Sequence, residues 1–377
     1  MRKWMMSLLF ACALCLLCDP VLAVPEDDRA RIDRLERQVE RLKEQVAEQD
    51  EQRADWLKAI AERITLEGLI EVEGFYSKDY QDQESSDLEV ATVELGLGAD
   101  IHEFVSSRVL FLWEEAEGDE VVVDEALIRL GNTERFPAFF EAGRMYVPFG
   151  SFETAMVSDS LPLELAETQE TAALLGFEHS GFYASAYAFN GEVNEAGDSD
   201  DHIDNFGAVA GYAAEIGGAS LDLGAGYISS LGDSDTLQDA LTPPIQDYAS
   251  GLDTYLSIGY QGLELMAEYL AALDSFENSE LPFDGGGAQP RAWQLELAYS
   301  FPIAGHGTTV AAGYQGTAEA LDLGLPEHRW LAAASLGFFD NLVFLSLEYA
   351  FDQDYSASDG GTGEEAHTVT TQLALEF

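Results

Sequence analysis

From Thr65 to the C-terminus the chain is punctuated into segments of about ten residues in which apolar side chains alternate with polar or small ones. Period two is the signature of strands, whose successive side chains point to opposite faces of a sheet. Leu66, Ile70 and Val72 alternate with Glu67, Glu71 and Glu73, and Ala91, Val93, Leu95 and Leu97 alternate with Thr92, Glu94, Gly96 and Gly98. Near the end, Val369, Thr371, Leu373, Leu375 and Phe377 alternate with Thr368, Thr370, Gln372, Ala374 and Glu376. A soluble sandwich shows the same pattern, so connection lengths must decide. Candidate strands fall near 65–77, 88–100, 106–114, 121–131, 137–149, 171–178, 182–190, 204–215, 219–230, 250–260, 263–273, 291–301, 308–317, 327–338, 342–352 and 366–377, sixteen in all. Short turns such as 179–181, 216–218 and 261–262 alternate with longer, acidic loops such as 150–170, 191–203, 231–249, 274–290 and 353–365. Turns at one end and loops at the other are the arrangement of an outer-membrane barrel. The expected fold is all-β, a 16-stranded antiparallel transmembrane β-barrel preceded by a short N-terminal coiled-coil helix. A bilayer supplies no water to an open strand edge, so the sheet must close, and a closed sheet of this size surrounds an aqueous lumen. Passage of solutes is the function such a shape permits.

The N-terminal part has another character. Arg2 and Lys3 precede an apolar stretch from Trp4 to Leu17, and Val21-Leu22-Ala23 supplies small residues for cleavage, which predicts a signal peptide over 1–23. All three cysteines, Cys12, Cys15 and Cys18, lie in that segment, so the mature chain is expected to have no thiol chemistry. Over 24–63, Ile32, Leu35, Val39, Leu42 and Val46 step by three and four, a heptad seam predicting a periplasmic coiled-coil helix. About three heptads are sound, near the lower limit for a coiled coil standing alone. Self-association through this helix, as dimer or trimer, is expected. Residues 24–64 are too short and too helical to form a folded plug.

Charge narrows the function further. Against 70 Asp and Glu stand 18 Lys and Arg, a net of −52, which would repel nucleic acid. After residue 63 there are 57 acidic residues and seven basic ones, so the lumen is expected to gather cations and raise the barrier for anions. The scarce Arg108, Arg129 and Arg144 are candidates for a short basic track that steers a ligand's carboxylates; the competing reading pairs them with Glu125 or Glu141, because charges removed from water need partners. Placing Arg144 inward puts Glu141 in the opposite phase unless a bulge intervenes. The loop acids Asp198, Asp200, Asp201 and Asp204 offer oxygen ligands but lack the spacing of a dedicated calcium loop. No HExxH or GxSxG pattern occurs, so neither an enzyme nor a cofactor is expected.

The block Gly143-Arg144-Met145-Tyr146-Val147-Pro148-Phe149-Gly150-Ser151-Phe152-Glu153-Thr154, with the preceding Asp124-Glu125-Ala126 strand and the long following loop, resembles the LbtU family of outer-membrane siderophore porins. The resemblance covers nearly the whole mature chain, and it implies uptake of a ferric siderophore through a barrel without a plug. Phosphate-selective porins look similar around the Pro-Phe-Gly block, but they carry a Lys and Arg ladder, and this chain has a single Lys after residue 63. The runner-up is a general, cation-preferring diffusion porin. A third reading is an envelope-tethering protein whose working part is the helix. Outer-membrane lipid and a small solute are the expected partners.

Overall fold

The computed structural model describes residues 63–377 apart from 117, 119 and 198–201, together with Ala61 and with Arg34, Arg37, Val39, Glu40, Arg41 and Lys43. The chain divides into two units, Met1–Glu62 and Arg63–Phe377. In the first, the described residues are helical, and Lys43 pairs with Glu40 one turn earlier, at 3.6 Å. The signal segment and most of the predicted heptad seam lie outside the described residues.

The second unit is a closed antiparallel barrel of sixteen strands. In chain order they are β1 (Ile64–Lys78), β2 (Glu84–His102), β3 (Val105–Trp113), β4 (Val122–Gly131), β5 (Ala138–Tyr146), β6 (Gln169–His179), β7 (Phe182–Phe189), β8 (Asn205–Ile216), β9 (Ala219–Ile228), β10 (Gly251–Tyr260) and β11 (Leu263–Ala272). After a small loop ladder, β12 (Pro282–Phe283) with β13 (Gly286–Gly287), the barrel continues with β14 (Arg291–Ile303), β15 (His306–Ala318), β16 (His328–Phe338), β17 (Val343–Gln353) and β18 (Glu365–Glu376). Every expected segment is a strand. The wall closes where β18 pairs with β1, from Leu69 opposite Glu376 to Lys78 opposite His367.

Tight turns define one end. Ser180-Gly181, Gly217-Gly218, Gln261-Gly262 and Ala304-Gly305 each place two successive residues at positive φ, between 51° and 90°, as the two-residue hairpin turn that matches strand twist requires. A glycine supplies at least the second position in all four. The loops stand at the other end.

Alternation sorts the wall into two faces. Outward-phase Leu97, Leu175, Leu223, Leu297 and Leu347 are exposed, with Leu175 at 63%, an arrangement untenable in water and suited to lipid. Aromatic rings border this band. At the loop end, Tyr314, Trp330, Phe351 and His367 stand opposite one another on four successive strands, with ring centroids 5.2–5.5 Å apart. At the turn end, Phe182 lies 4.6 Å from Tyr212 and Tyr299 lies 5.1 Å from Phe301. Such paired girdles sit at the two water interfaces of a membrane barrel.

The segment 137–149 leaves the sheet earlier than its apolar pattern suggests. After Tyr146, Val147 donates to the Thr168 carbonyl at 3.0 Å, Pro148 has no N–H for the ladder, and Phe149 turns into the barrel, where it is buried. Residues 147–168 therefore enter the lumen.

Candidate functional site

An irregular segment crossing a water-filled barrel must find acceptors for its own N–H groups. Residues 147–168 find them on the far wall. Glu268 of β11 accepts from Ser151 N at 2.8 Å and Phe152 N at 3.0 Å. Glu296 of β14 accepts from Ala155 N at 2.6 Å and Thr154 Oγ1 at 2.9 Å. Glu348 of β17 accepts from Val157 N at 2.5 Å and Ser158 Oγ at 2.6 Å. All three carboxylates lie in the inward phase and are at most 4% exposed. A charged acceptor strengthens each bond, to about 1.5–3 kcal/mol. Between these anchors Met156 packs on a small apolar patch of Met266, Ala298 and Ala311.

The return leg is helical. Ser160 caps α1 (Leu161–Ala166), its hydroxyl accepting from Leu163 N, and Pro162 sits in the first turn, where it costs no hydrogen bond. Leu161 N donates to Gln315 Oε1 of β15 at 3.1 Å. Leu161 and Leu165 are fully buried with Phe149, Ile228 and Leu270 in an apolar core inside the barrel mouth. The second short helix, α2 (Asp235–Ala240), adds Leu237 to that core from another loop.

The lumen is thus divided. The upper inner surface of β6–β15 is covered by loops, with Leu270 and Ala292 at zero exposure. On β1, inward-facing Glu67 is exposed and Glu71 and Glu73 are half-buried, so this side keeps contact with water. Asp159 of the loop lies within electrostatic reach of Glu71 and Glu73, and Glu94 faces inward from β2 beside Glu71's partner Thr92. Burial pushes the Asp159 carboxyl above the ordinary aspartate range, with Arg329 pulling it down and Glu348 adding to the rise. Glu164 moves up for the same leading reason.

The arginines take two roles. Arg108 faces inward and pairs with Glu125 at 3.2 Å and Glu67 at 3.3 Å. Arg129 faces inward, lies 3.6 Å above the Phe139 ring, and pairs with Glu141 at 2.9 Å and Glu178 at 3.3 Å. Arg144 is not with them. The β4–β5 ladder runs without a shift from Arg129 opposite Glu141 to Ala126 opposite Arg144, so three residues carry Arg144 to the outward face. There it hydrogen-bonds Gln169, which donates to Asp124 at 2.6 Å, and Tyr146 donates to the same carboxylate at 3.0 Å. One three-arginine track inside the lumen is therefore not what the wall presents. Asp198, Asp200 and Asp201 lie outside the described residues; Asp204 is exposed just before β8, and among the described residues no cluster of metal-ligating side chains occurs.

The barrel fold is shared with solved structures. An anion-selective porin from Comamonas acidovorans matches 83% of this chain and 99% of its own, with a TM-score of 0.56 at 14% identity. The fold is that of an outer-membrane porin. At such identity the likeness shows the fold alone. In sequence, the chain is 28% identical over 338 residues to a UPF0422 protein of Coxiella burnetii, covering 84% of this chain and 72% of that one. It is 27% identical over 356 residues to the UPF0422 protein lpl2888 of Legionella pneumophila, covering 83% and 66%, so it spans about two thirds of that relative's length. No family model matches.

Sequence reading missed two features of this porin-like lumen. Arg329 of β16 is an inward arginine held in a two-point pair with Asp352 of β17, Nε to Oδ1 at 2.8 Å and Nη2 to Oδ2 at 3.1 Å. Its parity with inward Leu331 was the available signal. The anchoring role of Glu268, Glu296 and Glu348 had no local signal, because inward acids are ordinary in an aqueous barrel.

Proposed function

We propose that this protein is an outer-membrane diffusion channel that prefers cations, narrowed by residues 147–168. The carrying observation is the path beside the loop, where Glu71, Glu73, Glu94 and Asp159 stand while the inward Arg108 and Arg329 are each committed to acids. Low-dielectric walls around such a path concentrate cations. Planar-bilayer recording with the refolded mature chain tests this. Channels with a reversal potential of cation sign in a salt gradient are expected; no channels, or an anion-sign potential, would defeat the reading.

A second reading is ferric-siderophore uptake without a plug. It is supported by the resemblance of Gly143–Thr154 to siderophore porins, a block that here forms the end of β5 and the first part of the lumen loop. A deletion strain that grows normally on a ferric siderophore as sole iron source would remove it. The helix within 24–63, in the periplasm, is proposed to hold copies of the chain together. Light scattering should give a smaller particle when 24–63 is deleted, and an unchanged mass would end that part of the proposal.

A further inference from the structure

Below the base of the lumen loop, on the turn-end half of the inner wall, β5–β10 line a cavity of about 770 Å³. Pro148 and Gly150 form its roof, and Phe139, Leu174, Tyr183, Val209 and Tyr255 supply apolar surface. The two tyrosines lie flat against the wall because their neighbours are glycines. A Cβ on Gly211 would stand 2.2 Å from the Tyr183 ring, and one on Gly224 would stand 2.4 Å from the Tyr255 ring. Their hydroxyls meet at 2.8 Å, and Tyr183 donates to Asp222 at 2.6 Å.

The charge in this cavity has one sign. Glu134, Glu141, Glu178 and Asp222 line it, and no Lys or Arg does. The adjacent Arg129 guanidinium is taken up by Glu141, Glu178 and the Phe139 face. Ser185 also lines the cavity, and its hydroxyl is buried with no hydrogen-bond partner. A buried hydroxyl left in that state marks a place where a ligand's polar group or a water is wanted.

We propose that this cavity binds an organic ammonium ion carrying an aromatic ring, seated on the joined Tyr183 and Tyr255 with its charge beside Asp222. Ring faces attract cations through their quadrupole, and the attraction grows when water is displaced. A carboxylate that accepts one hydrogen bond keeps capacity for an ammonium donor. The volume is in the range of small-molecule sites, which join apolar walls to a few placed polar groups. An anion bearing the same ring meets the lining carboxylates, and the adjacent cation, Arg129, is already taken up by Glu141 and Glu178. Binding here is a property of the wall and does not require that the solute cross the barrel.

The test uses the full mature chain refolded in detergent, with tryptamine as the cation and indole-3-acetate as the anion of the same ring system. Titration calorimetry is expected to show saturable tryptamine binding and none for indole-3-acetate. Asp222→Asn should weaken tryptamine by about ten-fold, as removal of one partner of a close charge pair does. Glu365→Gln, exposed at the loop end of β18, should leave it unchanged. Folding of each variant is checked by its heat-modifiable mobility in a gel; if Asp222→Asn does not fold, Tyr183→Leu, which removes the ring seat joined to Asp222, carries the same expectation. Equal binding of the two ligands, no binding of tryptamine, or full affinity in the variants would overturn the proposal. Because calorimetry reads occupancy, a protein that binds but does not conduct would refute the channel reading and leave this one standing.

Discussion

Replacing Glu268, Glu296 and Glu348 together with alanine is expected to raise single-channel conductance, by about two-fold or more, because a pore's conductance follows its narrowest section. These carboxylates take the backbone N–H groups of Ser151, Phe152, Ala155 and Val157 and the hydroxyls of Thr154 and Ser158. Each charge-assisted bond contributes about 1.5–3 kcal/mol, so losing six of them removes far more than thermal energy from the docked state of the loop. The loop would also lose its backbone acceptors, and water filling the lumen would compete for the freed donors. Phe149, Leu161 and Leu165 keep the two ends of the segment in the apolar core, so the part released is the 151–158 stretch between them. There the Gln294 donation to the Glu153 carbonyl and the small contact of Met156 with Met266, Ala298 and Ala311 are too limited to hold it. Single substitutions should have smaller and non-additive effects, since the remaining anchors keep the segment across the barrel. Glutamine at the same positions should act more weakly than alanine, because its carbonyl still accepts one N–H. Recording in 1 M salt, where screening acts within about 3 Å, separates the widening from the loss of three charges. Glu264→Ala is the control, an inward residue of β11 that accepts from Ser257 on the neighbouring strand at 3.4 Å and does not touch the loop anchors. A triple variant that keeps its heat-modifiable mobility and the original conductance would show that the loop is held by something else.

The barrel was legible because its signals are local. Alternation names the strands, and dipeptides such as Ser180-Gly181 and Gln261-Gly262 fix where the chain reverses. Within a strand, parity also places side chains: once Leu175 and Phe177 face lipid, Leu174 and Glu178 face inward. Parity failed for Arg144 only because the sequence left a bulge open. Arg129 and Arg144 cannot both face inward on an unshifted β4–β5 ladder, and three shifts do occur nearby, between β1 and β2, β2 and β3, and β3 and β4. Which ladder slips is decided by pairing across strands, not by either strand's composition. The lumen loop was illegible for another reason. Its donors and its acceptors are about 116–191 residues apart, and nothing in Ser151–Ser158 distinguishes an inward path from the outward loops. Ser160, Pro162 and the apolar Leu161 and Leu165 were the available hint that part of the loop is a capped, buried turn of helix.

Neutralising the open side of the lumen is expected to abolish most of the cation preference. In Glu71→Gln, Glu73→Gln, Asp159→Asn the path keeps its shape, since each replacement is nearly isosteric, while three charges are lost from the strip that faces water beside the loop. A strip of one sign inside low-dielectric walls produces a potential of several kT, so the ratio of cation to anion permeability should fall by roughly ten-fold at low salt. In high salt the wild type and the variant should converge, because the Debye length shrinks below the width of the passage. Acid should act in the same direction as the substitutions. Burial raises the Asp159 and Glu164 carboxyls above their ordinary range, so on acidification they take up protons before a solvated carboxylate does. The sign is fixed: protonation removes negative charge, cation preference declines as pH falls, and the decline begins at a pH above the ordinary carboxylate value. In the variant, the amide that replaces the Asp159 carboxyl has no proton to gain, leaving Glu153, Glu164 and Glu167, whose carboxyls burial also raises, Glu167 to about 7, as the loop groups that respond early, so the upper part of that titration should shrink without vanishing. Reversal potentials measured across a ten-fold salt gradient at a series of pH values read both effects. A wild-type preference that stays constant until the pH of free carboxylates, or a variant as cation-selective as its parent, would move the selectivity filter away from Asp159 and the β1 acids, to the turn-end vestibule where Glu141, Glu178 and Asp222 stand.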